Sequence, residues 1–330
     1  MKTIVGFSLT VLLAITKCYA WNGFGHMAVA YVAYQQLSPG VKQRANELLK
    51  RNPEFTNWSS WIPNGTSAAD RDLMIFMLAA TWPDQIKGQP HHLPPINPVT
   101  NHRYVADGSH GGNRPEGSPN PSANEGFTDN SMHKYWHFID MPFTPDNSPL
   151  TNAPDINAQE RIALFRSVLA SNASDDLKSY DLAWLLHLLG DVHQPLHCTS
   201  RFTQDDPGGD DGGNLVLISV GTGTNTTSLH SIWDERLGQG SDKEILTNVI
   251  KVAKQLPSAS STSGSDANEQ DWINESFQKA KSDAYVSPIG NGNGPFTLTS
   301  AYKSNALDVA QQRVALAGVR LANLLEANLK

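Results

Sequence analysis

The residues most able to do chemistry in this chain lie in the run His187-Leu-Leu-Gly-Asp191-Val-His193-Gln-Pro-Leu-His197. On a helix, residues four apart share a face, so His187 and Asp191 can point at one ion. Pro195 is expected to stop the helix and let His197 turn away from its axis. The spacing recurs in His230-Ser-Ile-Trp-Asp234. Imidazole and carboxylate together suit zinc. One such pair alone also describes a buried, hydrogen-bonded histidine beside a helix-surface aspartate. Two pairs with a third histidine in reach favour a metal centre.

Upstream candidates are His26, Asp84 in Thr81-Trp82-Pro83-Asp84, and His137 in Trp136-His137-Phe138-Ile139-Asp140. The first twenty residues carry Lys2, an apolar run from Ile4 to Ile15 and a small-residue end at Ala20, the pattern of a secretory signal. Lys17 stands where a lipoprotein signal wants a small residue, so Cys18 is not read as a lipid anchor. Cleavage after Ala20 leaves Trp21 with a free α-amino group. Its reference pKa of about 7.7 to 8.0 lets a metal displace the proton near neutral pH.

Most of the elements that must hold these groups read as helices. Apolar positions recur at three-to-four spacing over 26–37, 40–50, 69–81, 156–171, 178–193, 242–255 and 300–328. Residues 213–227 alternate loosely and then reach Gly221-Thr222-Gly223, which predicts one small β-hairpin. Residues 88–131 have no period and are expected to form a long surface excursion. The Ser-rich stretch 257–268 reads as a flexible loop. Neither divides the chain, so the expectation is a signal segment at 1–20 and one mainly α domain at 21–330.

Bulk composition excludes some partners. The formal charge of −7 falls to −9 once Lys2 and Lys17 are removed with the signal, which argues against a surface that grips polyanions through Lys and Arg patches. Only Cys198 remains, so the processed chain cannot form an internal disulfide. No stretch approaches eighteen uninterrupted apolar residues, and a secreted or periplasmic protein without a membrane anchor is expected. The Asp205–Asn214 run hints at calcium, but Val216 stands where an EF-hand requires glutamate, so it is read as a tight turn into the hairpin.

Taken in order, Trp21, His26, Asp84, the Trp136–Asp140 segment, the His187–His197 run and the His230–Asp234 pair resemble the zinc-dependent single-strand nucleases of the S-one and P-one type. These are 3′-nucleotidase/nucleases related to bacterial zinc phospholipase C. The resemblance implies a helical phospholipase C/nuclease-like fold with three zinc ions at the base of a cleft. Asp84, His137, His187 and Asp191 would hold the first ion. Trp21, through its amine and carbonyl, would hold the second with His26 and a bridging Asp191. His197, His230 and Asp234 would hold the third.

It further implies that hydroxide between the ions sharing Asp191 attacks phosphorus while the third ion stabilises the departing 3′ oxygen, leaving 5′ phosphates. Asp140 would orient the nucleophile, Lys87 would stabilise transition-state charge, and Phe138 would stack on a base. The partners implied are single-stranded DNA and RNA and nucleotides, acted on by a monomer. A phospholipase C on the same scaffold is the rival enzyme, although its relatives tend to carry Glu where Asp234 stands. A secreted zinc-binding protein without turnover is the rival from another class.

Overall fold

The computed structural model describes residues 21–88, 93–107, 123–153, 156–221 and 223–329. The signal segment and His91, His92 and His110 lie outside the described residues. Twelve α-helices are described: α1 (Gly23–Gln36), α2 (Pro39–Leu49), α3 (Phe55–Trp61), α4 (Ala68–Ala79), α5 (Trp82–Gln85), α6 (Ala158–Ala170), α7 (Asp175–Asp191), α8 (Leu229–Asp234), α9 (Asp242–Ala253), α10 (Ser261–Gly264), α11 (Glu269–Lys279) and α12 (Ser300–Asn328). Strands are short. β1 (Pro142–Phe143) pairs in parallel with β2 (Ser200–Arg201), and β3 (Leu217–Ser219) pairs antiparallel with β4 (Thr226–Ser228). The second pair is the hairpin read from the sequence, and the fold is mainly α.

Helix α7 is the axis of the domain. Ser174 caps it by accepting from the Leu177 amide, and Asp175 and Asp176 in its first turn complement the helix dipole. Every residue from Lys178 to Asp191 is buried, as expected of a helix apolar on all sides. Around it pack α1, α2, α5, α6 and α12. Helix α1 is buried from Phe24 to Tyr31 and lies against α4, α9 and α12. A smaller apolar cluster, including Leu196, Val216, Ile218, Leu229 and Trp233, forms beneath the hairpin. The segment after α7 therefore runs from the main core at Val192 to the smaller one at Leu196.

Two buried arginines fix that segment from behind. Arg313 of α12 donates to the His193 carbonyl at 3.2 Å, and Arg320 reaches His193 Nε2 at 2.9 Å. Both pair with Glu275 of α11, at 2.8 and 2.7 Å. His193 is thus a buried strut facing away from the ligand candidates.

The structure corrects the reading of residues 257–268 and shows how the 88–131 excursion is anchored. Residues 257–268 contain α10 and are tied to α12 through Arg320 to the Ser263 carbonyl and Asn323 to the Gly264 carbonyl. Serine-rich composition concealed this because the anchoring donors belong to a helix more than fifty residues away. The described parts of 88–131 are likewise pinned. Asn97 is buried and donates to the carbonyls of Phe127 and Asp129, and Val105 forms a parallel bridge with Ser131. Helix α11, carried on Trp272, Ile273 and Ser276, was not anticipated at all.

A charge clamp closes the same region. His133, with φ of 48°, lies 3.1 Å from Asp107 through Nδ1 and 2.7 Å from Asp129 through Nε2. Its ring stacks on Trp136 at 3.4 Å. Burial opposes the imidazolium, yet hydrogen bonds to Asp107 and Asp129 outweigh it and raise the His133 pKa. Burial would likewise raise Asp129, but the bond from His133 wins and lowers it. A raised His contributes stability below its unfolded value that is lost as pH rises through the folded one, and a lowered Asp contributes stability lost as pH falls. The clamp should therefore stabilise most between about pH 4 and 6.5. His133→Gln, which strands two buried carboxylates, is expected to cost about 3 kcal/mol. Thermal unfolding of both proteins from pH 3 to 9 checks this: a melting difference that stays flat across the range would contradict it.

Candidate metal centre

Helix α7 delivers His187 and Asp191 on one face, and the chain then turns. The helix ends at Asp191, and the Gln194 side chain caps a single 3-10 turn at Pro195–Cys198 that carries His197. His230 lies in the first turn of the short helix α8 and Asp234 ends it, with Ser228 as its cap. His26 lies on α1 and Asp84 on α5, while His137 ends the 3-10 turn Lys134–His137. All of these residues are buried.

Three groups of ligand atoms converge: His26, Asp84 and His187; His137, His187 and Asp191; and His197, His230 and Asp234. Asp191 faces two ways. Its Oδ2 is 3.2 Å from both His137 Nδ1 and His187 Nε2, whereas its Oδ1 is 3.4 Å from His26 Nε2. Asp84 Oδ1 completes the first side at 3.6 Å from His187 and 3.9 Å from His137. The His26 and His187 rings stack at 3.7 Å.

Backbone carbonyls select the ring nitrogens that remain for a ligand. His187 Nδ1 lies 2.8 Å from the Ala80 carbonyl, His197 Nδ1 2.8 Å from that of His137, and His230 Nδ1 2.8 Å from that of Gly212. Each Nδ1 donates there, so each Nε2 of the neutral ring keeps a lone pair. The Nε2 atoms of His197 and His230 then face one another at 3.1 Å, and His187 Nε2 faces His137 Nδ1 at 2.9 Å. The opposed lone pairs of His197 and His230 are unfavourable unless a cation lies between them. Two nitrogens on one tetrahedral zinc would stand about 3.3 Å apart. His26 Nε2, Asp191 Oδ1 and Asp234 Oδ2 are buried and make no hydrogen bond. The donor set fits a metal of this kind.

Electrostatics agree with that fit. Burial pushes Asp191 up to about 6 and raises Asp234 strongly, so the carboxylates resist ionising without a cation. Burial likewise holds His26 and His137 well below the usual imidazole range. At His187 burial is outweighed by Asp191 and Asp84, and the pKa rises. Bound metal would replace protons here, so its affinity should rise with pH.

The remaining sequence candidates divide. Trp21 is fully buried, and the Asn22 amide beside it donates to the Asp234 carbonyl at 3.2 Å, which places the Trp21 backbone next to the cluster. A Cβ on Gly190 would approach His26 Nδ1 to 2.8 Å and Trp21 Cδ1 to 3.6 Å, so the glycine is needed for this close packing. Lys87 is no solvated surface lysine: its Nζ is 2.6 Å from Asp84 Oδ1 and its side chain is 11% exposed. Asp140 is buried beside the cluster, because the flanking Ile139 amide donates to the His197 carbonyl at 2.8 Å. Burial, and then Asp211 and Asp210, push its carboxyl up to about 8. Phe138 is only 5% exposed and belongs to the main core, so in this conformation its ring is a packing surface.

Sequence reasoning missed the groups that orient the ligands. Gln194 donates to Asp234 Oδ1 at 2.6 Å. The Asp205–Asn214 turn, read only as an entry to the hairpin, supplies the Gly212 carbonyl to His230. Gly212 has φ of 61°, and a Cβ there would lie 2.4 Å from the Leu196 carbonyl oxygen. The adjacent glycines were visible in the sequence, but a backbone carbonyl has no sequence signal.

Comparison with known proteins accords with this geometry. Residues 21–330 match the family described as S1/P1 Nuclease. Nuclease S1 of Aspergillus oryzae is 22% identical over 99% of this chain and 98% of its own length. Endonuclease 2 of Arabidopsis thaliana is 23% identical over 96% of the chain and 92% of its own. Endonuclease 5 of Arabidopsis thaliana is 29% identical over 47% of the chain, an alignment spanning about half (54%) of that protein. Given a family match that extends over the whole described domain, the chain belongs to the S1/P1 nuclease family and is a nuclease acting on nucleic acid.

Proposed function

We propose that this nuclease is a zinc-dependent phosphodiesterase that cuts single-stranded DNA and RNA, and also acts on 3′-mononucleotides, leaving 5′ phosphates. The observation that carries the reading is the two-sided Asp191. Its oxygens face separate histidine sets, as a carboxylate bridging two ions would, with His197, His230 and Asp234 forming a third set nearby. The assignment of nine ligands follows: Trp21, His26, Asp84, His137, His187, Asp191, His197, His230 and Asp234. When bound, zinc lowers the pKa of water to about 7 and, in paired sites, clamps the attacking and leaving oxygens of a phosphoryl displacement.

The chain's own residues supply position and charge. Asp140, three residues after His137, orients the attacking water. Lys87, anchored on Asp84, presents its ammonium to the phosphoryl oxygens as charge builds on them. Phe138 would stack on an unpaired base only if its ring left the core contacts that it makes here. Removal of residues 1–20 on export frees the Trp21 amine, and the processed domain acts as a monomer outside the cytoplasm.

Lys87→Met keeps the stem and removes the charge. It should lower kcat on denatured DNA by about a hundredfold or more with little change in KM, and Lys87→Arg should recover part of the loss. An unchanged kcat in the Met variant would remove Lys87 from the catalytic set.

The reading as a whole is tested by hydrolysis of denatured and duplex DNA with the processed protein. Cleavage should favour the denatured form, stop on chelation, return with zinc and leave 5′ phosphates. Turnover of phosphatidylcholine in place of DNA would favour a phospholipase C, and saturable zinc binding without hydrolysis would mark a zinc-binding protein.

A further inference from the structure

A cavity of about 730 Å³ opens beside the ligand set. Trp61 of α3, Asp84 and Gln85 of α5, and Gln239, Asp242 and Lys243 are among its lining residues. Its volume falls in the range of sites that enclose small organic ligands. Asp84 belongs both to this wall and to the His26–Asp84–His187 group, so the cavity leads directly to the metal centre. A strand cut at an internal phosphate has a nucleoside on each side of it. The mechanism so far assigns a base only to Phe138 and gives the other nucleoside no place.

The wall chemistry suits a base more than a phosphate. Trp58, one turn earlier in α3, is fully buried and provides that helix's core contact, while Trp61 is half-buried and borders the cavity. Asp242 accepts from Gln85 at 3.0 Å, and Glu235 accepts from Gln239. Those carboxylates would repel a phosphate placed deep in the cavity, yet they can accept from exocyclic amino groups of a base. Lys243 at the rim is exposed and has no ion-pair partner among the described residues.

We propose that this cavity is a second nucleoside subsite, in which the Trp61 indole stacks on an unpaired base and Lys243 meets the next phosphate of the strand. The subsite rests on the single-strand reading above and extends it to the far side of the scissile bond. Duplex DNA cannot use it without unstacking a base, so it contributes to single-strand preference.

The test uses zinc-loaded, processed protein and short single-stranded oligonucleotides in which one abasic residue is stepped along the sequence. Base stacking on an aromatic ring contributes about 1–3 kcal/mol, which is roughly 5- to 150-fold. The wild type should lose about tenfold in kcat/KM when the abasic residue falls at one register on one side of the cut. Trp61→Ala should raise KM on intact strands by a similar factor and lose its sensitivity at that register. Trp61→Phe should keep most of both. Trp61→Leu, which retains packing against the core without a stacking face, should behave as the Ala variant while melting near wild type. Lys243→Ala should weaken the salt dependence of KM by the equivalent of one phosphate contact.

Denatured DNA with the wild type comes first. Absence of cleavage there rejects the single-strand reading, and the subsite with it. Cleavage by the wild type together with unaltered KM in Trp61→Ala and Trp61→Leu rejects the subsite alone.

Discussion

Asp191→Asn should leave a folded protein that binds one zinc ion instead of three and cleaves denatured DNA at least about a thousandfold more slowly. The amide has the shape of the carboxylate but no negative charge to share between two cations. Both carboxylate oxygens of Asp191 are engaged, Oδ2 at 3.2 Å from His137 and His187 and Oδ1 at 3.4 Å from His26, and the amide keeps only one of them. His197, His230 and Asp234 form a separate group and should keep their ion. Metal content by mass analysis and initial rates on denatured DNA give the two readouts. Three ions and near-wild-type turnover in the variant would remove Asp191 from the centre of the site.

The same substitution should alter the stability of the metal-free protein in a direction that can be worked out. Burial pushes the Asp191 carboxyl up to about 6, above the unfolded value of about 3.9. A raised carboxyl favours folding in its protonated form, so its contribution is present below pH 4 and lost as pH rises through about 6. The chelated wild type should therefore weaken relative to chelated Asp191→Asn across that window. Zinc should reverse the order, because only the carboxylate form of the site binds the ions tightly.

Retention of even one residue before Trp21 should reduce activity by on the order of a hundredfold and lower the zinc content by one ion. An amine with a reference pKa of about 7.7 to 8.0 can give up its proton to a metal, whereas the amide nitrogen of an extended chain has no comparable lone pair. Trp21 is fully buried, and a Cβ on Gly190 would approach both it and His26. Protein beginning at Ala20 and protein beginning at Trp21, prepared from the same host, would be compared for zinc content and rate on denatured DNA. Equal values would remove the amine from the ligand set and make processing irrelevant to catalysis.

The sequence by itself determined the local half of this site. His187 with Asp191 and His230 with Asp234 are legible because a helix repeats every 3.6 residues, so four-residue spacing already fixes a shared face. Long amphipathic helices such as α12 and the small hairpin were legible for the same reason: their signals lie between near neighbours. Only the tertiary structure decided the rest. It brings Asp84 of α5 and His26 of α1 to α7, turns the two oxygens of Asp191 to different histidines, and sets the carbonyls of Ala80, His137 and Gly212 against the ring nitrogens that must not bind metal. It also buries Lys87 against Asp84, packs Phe138 into the core and opens the cavity beside Trp61. These outcomes depend on which helix faces meet across the core, and a contact between residues fifty or a hundred positions apart leaves no periodic trace in the chain.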